Sequence, residues 1–428
     1  MSRTLAVVAL AMAACSFDSS GIDFSHADAG MGGNDATFGG ADAGAIDATS
    51  PPMITPSNGV GPAELNGVIA GLSFAASSTS TISSDTGEII TDDTIMVRGP
   101  GGGVVDGIRF AQLTDSVAVL GVTSVSVGQS AYVRVIGSRA LVLLSRGDVT
   151  IYGAIDVSGG CIGGGVTCGG PGGGSGTPDE AISALGCAPG RNGSGANGGT
   201  PETGVGGGSF GTAGAPAGDA DGSHLGGVAG ALPGTCTGAA LVPLMGGSGG
   251  GSGGVDNCGG DGGGGGGGLQ ISSYGRIDII GPALISRPVG INAAGAGGRG
   301  GEASDGGGGG GSGGGILLEA LNIKIVSAVL AANGGGGGGG GNQPDSATGQ
   351  PGSFGSAQAS GGDDDRAGGS GAALAGGATA GEGGGDNTGG GGGGIGIIRL
   401  NVSPSGLDIG DSVIISPAFT RGDPGGNP

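Results

Sequence analysis

Glycine accounts for 119 of the 428 residues, and it comes in blocks such as Gly306–Gly311, Gly334–Gly341 and Gly389–Gly394. Glycine loses more backbone freedom on folding than any other residue and brings no side chain to bury. A chain like this has few routes to an ordered state. Collagen needs glycine at every third position and abundant proline; here proline numbers 20 and the glycines have no such period. Two readings of the blocks remain open. They are flexible, disordered loops, or they are extended polyproline-II-like segments that use glycine wherever backbones approach closely.

Between the blocks the composition changes. Short β-branched runs appear at Val68–Phe74, Glu88–Thr91, Thr94–Val97 and Val104–Phe110, separated by turn formers such as Asp85-Thr86-Gly87 and Gly99-Pro100-Gly101. A denser series follows at Val117–Val127, Ala131–Ile136, Ala140–Leu144, Val149–Tyr152 and Ile155–Val157. Val133-Arg134-Val135, Val149-Thr150-Ile151 and Ile155-Asp156-Val157 alternate, as strands with one wet face do. Leu141–Gly159 is echoed at Leu269–Ile280, Ile316–Asn333 and Ile395–Ile415. Each copy reads as strand, turn, strand, often with a third strand. One such unit cannot bury its apolar face alone, but stacked units can. The predicted fold is all-β: an irregular parallel β-helix or solenoid-like body with long glycine-rich insertions at 159–268, 295–315 and 334–394. Ile325 is expected to face inward and Lys324 outward.

The N-terminus predicts export. Arg3 precedes the apolar run Leu5–Ala14, which is too short for the about 20 residues that span a bilayer. It fits the h-region of a signal peptide. The run ends Met12-Ala13-Ala14-Cys15 and resembles a bacterial lipobox, with Met12 where leucine is usual. Cys15 is therefore the expected lipidation site, and Ser16 after it points to the outer membrane. Residues 16–56 carry six aspartates and no Lys or Arg, the composition of a disordered acidic tether. The expected organisation is a signal peptide at 1–14, a tether at 15–56, an N-terminal strand region at 57–116, a glycine-rich β body at 117–416 and a disordered tail at 417–428.

Net charge is −21, and the basic side chains are scattered, with Lys324 the single lysine. Nucleic acid is not an expected partner, because phosphate backbones are bound by clustered Lys and Arg. Of six cysteines, Cys161 and Cys168 lie within a glycine-rich turn directly after a strand, and export favours their pairing as a disulfide. Nothing selects a pair among Cys187, Cys236 and Cys258.

Catalytic and metal chemistries find little support. The histidines are His26 and His224, too few for a multi-histidine zinc site. GxSxG occurs at Ser209, Ser248, Ser252 and Ser312, but none sits between a strand and a helix as a nucleophile elbow requires. The acidic runs Asp363-Asp364-Asp365 and Asp219–Gly222 lack the remaining ligands of a calcium loop. Arg-Gly-Asp at 146–148 and 421–423 reads as a turn and a polar tail. Asp156 and Asp278 read as outward carboxylates at comparable places in two copies, without a recurring basic partner. No catalytic residue, cofactor or metal is expected.

The Cys15 junction, the Asp/Ala/Gly tether, SRALVLLSRGDVTIYGAIDVSGG at 138–160, LVPLMGGSGGGSGG at 241–254 and GGGGGGSGGGILLEA at 306–320 together resemble the glycine-rich envelope lipoproteins of myxobacterial type, which are PE-PGRS-like by composition. The helical PE domain of a true PE-PGRS protein has no counterpart here. The resemblance covers nearly the whole chain and implies a β-solenoid-like body on the cell envelope. The expected function is a non-catalytic, surface-anchored structural or display lipoprotein, held to the membrane by its lipid. The alternatives are an adhesin or glycan-binding module using an exposed sheet face, with a glycan or protein partner, and, more remotely, a β-helical enzyme acting on polysaccharide.

Overall fold

The computed structural model describes residues 54–178, 184–187, 203–220, 224–231, 237–254, 259–282, 288–301, 305–341, 346–385 and 387–425. These belong to one unit, Ser50–Pro428. The expected signal peptide, Cys15, most of the tether, Cys236 and Cys258 lie outside the described residues.

Five strand triplets follow one another. They are β7 to β9 (Val117–Val122, Val125–Val127, Tyr132–Ile136), β10 to β12 (Ala140–Ser145, Val149–Ile151, Ala154–Asp156), β13 to β15 (Gly268–Ser273, Arg276–Ile280, Gly290–Asn292), β16 to β18 (Gly315–Ala320, Asn322–Val326, Val329–Ala331) and β19 to β21 (Ile397–Val402, Leu407–Ile409, Ile414–Ser416). Each triplet gives one strand to each of three sheets, in the same order, and equivalent strands of successive triplets pair in parallel. The first sheet holds β7, β10, β13, β16 and β19; the second, β8, β11, β14, β17 and β20; the third, β9, β12, β15, β18 and β21. None closes on itself. The described chain is all-β apart from one 3-10 turn, Pro62–Leu65.

The earliest strands, β1 (Leu72–Phe74) and β2 (Thr79–Ser83), pair in parallel with β8 and β9. Four short strands, β3 (Ile89–Thr91), β4 (Ile95–Arg98), β5 (Gly103–Val105) and β6 (Ile108–Gln112), then add antiparallel partners to the third and first sheets. Strands before and after residue 117 therefore share all three sheets, and no boundary falls there. Arg98 holds this end together. Its buried guanidinium donates to the carbonyls of Gly87, Gly99, Gly101, Gly103 and Ile108 and stacks over Phe110 at 5.5 Å. Using all five donors on carbonyls is what makes a buried Arg tolerable. At the other end, β22 (Thr420–Gly422) pairs with β19, and Arg421 donates to the carbonyls of Ser403 and Pro404. The expected disordered tail from 417 is corrected at these positions, where pairing satisfies the edge of the sheet.

Inward rows from the three sheets meet in one core. Ala118, Leu141, Leu269, Ile316 and Ile398 line up across the first sheet; Val127, Ile151, Ile279 and Ile325 across the second; Val133, Ile155, Ile291 and Leu330 across the third. The corner between second and third sheets repeats as well. Ser77, Ser130, Ser327 and Ser412 each stand two residues before a third-sheet strand with φ between 48° and 61°. This left-handed serine is a repeat signature that the strand-centred reading of the sequence passed over, along with the extra copy at 117–136.

All three long glycine-rich insertions leave from the same corner, between a third-sheet strand and the next first-sheet strand: 157–267, 293–314 and 332–396. They consequently lie side by side, and their described parts are ordered. The amides of Gly334, Gly337 and Gly340 donate to Ala372, Gly369 and Arg366; those of Gly335 and Gly338 to Gly311 and Gly308; those of Gly336 and Gly339 to Gln350 and Ala347. The carbonyls obey the same period. Gly335 and Gly338 accept from Gly393 and Gly390, Gly336 and Gly339 from Gly298 and Gly301, and Gly337 from Gly362. The bonding directions of this segment therefore repeat every three residues. Of the two readings left open for the blocks, disorder is corrected for these residues. A Cβ at Gly337 would overlap the carbonyl oxygen of Gly390, so the close approach itself requires glycine.

Candidate functional site

The outer faces of the three sheets differ in what covers them. Strands β7, β10, β13 and β16 of the first sheet are buried on both faces, since Val119, Val142, Leu144 and Leu317 pack under Val60, Leu65, Phe210, Leu241 and Leu244. Residues 54–68 cross this sheet as a strap. Thr55 donates to the Pro424 carbonyl at one end, and Arg146 donates to the Leu65 carbonyl at 2.9 Å toward the other. At mid-course sits Glu319, which is 1% exposed. Its carboxylate accepts from Ser57 Oγ (2.6 Å), the Ser57 amide (3.0 Å), Gln270 Nε2 (2.8 Å), Ser272 Oγ (2.7 Å) and Asn401 Nδ2 (2.8 Å). A buried carboxylate is stable only with such a set of donors.

The third sheet carries a second cluster. Asp156 Oδ2 accepts from Arg134 Nη1 at 2.6 Å and from the Tyr132 hydroxyl, and its Oδ1 accepts from the Ser158 amide and Asn292 Nδ2. Arg134 also donates to Ser158 Oγ and to the Ser158 and Gly160 carbonyls. Burial, reinforced by the neighbouring Asp156 carboxylate, raises the Tyr132 hydroxyl pKa well above its ordinary value.

The second sheet presents a row of side chains to solvent in register: Ser73, Ser126, Thr150, Asp278, Lys324 and Asp408. Lys324 pairs with Asp408 at 2.8 Å and Asp278 with Arg276 at 3.0 Å. The hydrogen bond to Asp408, and then its charge, raise the Lys324 pKa.

These positions correct the expectation for Asp156 and Asp278. The two lie on different sheets, Asp156 is buried, and each has an arginine partner. Arg134 comes from the preceding triplet and so leaves no local signal, whereas Arg276, two positions before Asp278 on the same strand, was legible from strand alternation. The structure joins Cys161 to Cys168, with Cα atoms 4.9 Å apart, and Cys187 is disulfide-bonded as well. The Cys161–Cys168 bridge borders a cleft of about 520 Å³ that is also lined by Arg134, Ser138, Ile162 and Leu185.

The GxSxG serines are buried in the glycine layers. Ser209 donates to the Gly230 carbonyl, and Ser312 Oγ accepts from the Ser248 amide at 2.8 Å. Glycine surrounds them because the layers leave room for nothing larger. Among the described residues, no three His, Cys, Asp or Glu side chains converge on a common point, and no helix is long and apolar enough to cross a membrane. No protein-family model matches this chain, and no curated protein and no solved structure is detectably similar to it.

Proposed function

We propose that the chain is a non-catalytic structural or display lipoprotein of the cell envelope, its body a parallel β-helix flanked by polyproline-II-like glycine layers. Five parallel triplets in constant order support the β-helix reading. The observation that carries the structural role is that three buried charged groups are spent on holding the body together. Arg98 uses its five donors on backbone, Glu319 accepts from five donors, and Asp156 accepts from four. A carboxylate engaged in this way is poorly placed to exchange protons with a substrate. Membrane attachment rests on Cys15, and acyl chains anchor at about 0.8 kcal/mol per buried CH₂. Within the body, Thr55 donates to the Pro424 carbonyl beside β22.

Metabolic labelling with a palmitate analogue, followed by membrane fractionation, tests the anchor. The wild type is expected to be labelled and sedimentable, and Cys15→Ala neither. Equal labelling of both would reject it. Hydrolysis of envelope polysaccharide by the purified protein would reject the non-catalytic role.

A further inference from the structure

On the outer face of the third sheet, Thr79, Tyr132, Ala154 and Gly290 form one row across β2, β9, β12 and β15. The row falls from a tyrosine to an alanine and then to a glycine, so the side chains themselves open a trough. Gly153 and Ala154 make its floor. Tyr132, Thr79 and Ser130 stand on one side, and Pro288, Val289 and Phe354 on the other, enclosing about 450 Å³. That volume lies within the roughly 300–1,000 Å³ of ordinary small-ligand sites.

We propose that this groove binds one ring of a neutral glycan, taking the apolar face of a pyranose against Tyr132 and Phe354. The inference goes beyond the structural role and does not depend on the lipid anchor. Three features select the ligand. First, none of the described lining residues is charged, and the nearby Arg134 and Asp156 neutralise each other at 2.6 Å. With a net charge of −21 and no cation among the described lining residues, an acidic sugar would be desolvated without a partner among them. Second, the walls include two aromatic rings, and the Tyr132 ring is held in place because its hydroxyl donates to Asp156. A fixed aromatic face costs little ordering on binding. Third, the Thr79 and Ser130 hydroxyls have no hydrogen-bond partner among the described residues, which leaves two polar groups at the rim for the ring's hydroxyls. Ser130 is presented there by its left-handed turn, φ 58°. A purely apolar ligand would use the walls and leave those hydroxyls idle.

The test uses the full chain and ligand-observed saturation-transfer NMR with titration. Its panel is the methyl glycosides of glucose, galactose, mannose and N-acetylglucosamine, with methyl glucuronide and cyclohexanol beside them. At least one neutral glycoside is expected to receive saturation at its ring protons, and methyl glucuronide is expected to bind more weakly. Phe354→Ala, on an insertion outside the β core, should weaken binding roughly tenfold. Thr79→Val, which keeps the shape and removes a hydroxyl, should weaken it severalfold. Unchanged melting of both variants establishes that the fold is retained. The proposal is overturned if no neutral glycoside binds, if cyclohexanol binds as tightly as the best glycoside, or if both folded variants bind like the wild type.

Discussion

Ser57 and Glu319 stand 262 positions apart in the chain, yet Ser57 gives both its hydroxyl and its amide to the Glu319 carboxylate, at 2.6 and 3.0 Å. That pair latches the strap to the first sheet and places the start of the body at a defined point along the stack. Replacing Glu319 with Ala would strand the donors of Gln270, Ser272 and Asn401 in a dry interface. Urea unfolding of Glu319→Ala is expected to show a loss on the order of 3 kcal/mol, and Ser57→Ala a loss of about 1 kcal/mol. Limited proteolysis should then cut near residues 54–60 first. An unchanged midpoint for Glu319→Ala would reject the latch.

Lys324 and Ile325 are neighbours with opposite roles. Ile325 is 0% exposed within the core, whereas Lys324 pairs with Asp408 in solvent. Ile325→Asp is expected to cost more than about 4 kcal/mol, because it buries an unpaired charge. Lys324→Asp should cost far less, since an exposed pair contributes little and the added cost is the repulsion from Asp278 and Asp408 across the sheet. Reversed or equal effects on protease resistance would overturn the register of β17.

The glycine layers make a sharper comparison. A methyl at Gly337 meets the Gly390 carbonyl, whereas one at Gly377 meets nothing within 4 Å. Gly337→Ala should destabilise by about 1–3 kcal/mol through forced displacement of a neighbouring backbone. Gly377→Ala should be neutral or slightly stabilising through the unfolded chain. Hydrogen exchange should show the Gly334–Gly340 amides protected in the wild type. Rapid exchange there would contradict the layer.

Alkaline pH should weaken the fold through Tyr132. Its pKa is raised in the folded state, so above pH of about 10 the unfolded chain ionises while the folded one does not. The stabilising contribution is complete below the unfolded value and falls as pH climbs past it. Lys324, also raised, adds the same sign as pH passes upward through its folded value. Thermal melting from pH 8 to 11.5 is expected to drop less steeply in Tyr132→Phe than in the wild type. Parallel curves would show that Tyr132 ionises as it does in the unfolded chain.

Much of the strand content was legible because alternation and β-branched runs are local signals. Val149-Thr150-Ile151 and Ile323-Lys324-Ile325 declare their inward and outward faces without any neighbour. The all-β class and the repeated strand units follow from that periodicity. Partners could not be read the same way. Parallel pairing joins residues a whole triplet apart, as Arg134 and Asp156 are, and Leu143 meets Ile271 only once the 157–267 insertion is absorbed at the corner. The same holds for the glycines. Composition alone makes Gly334–Gly341 equally suited to a flexible coil and to a packed layer, because glycine has no side chain to state a preference. The tertiary structure decides it by bringing three insertions to one corner. There each amide of Gly334–Gly340 finds a carbonyl on a neighbouring segment, and those bonds offset the backbone entropy that glycine would otherwise keep.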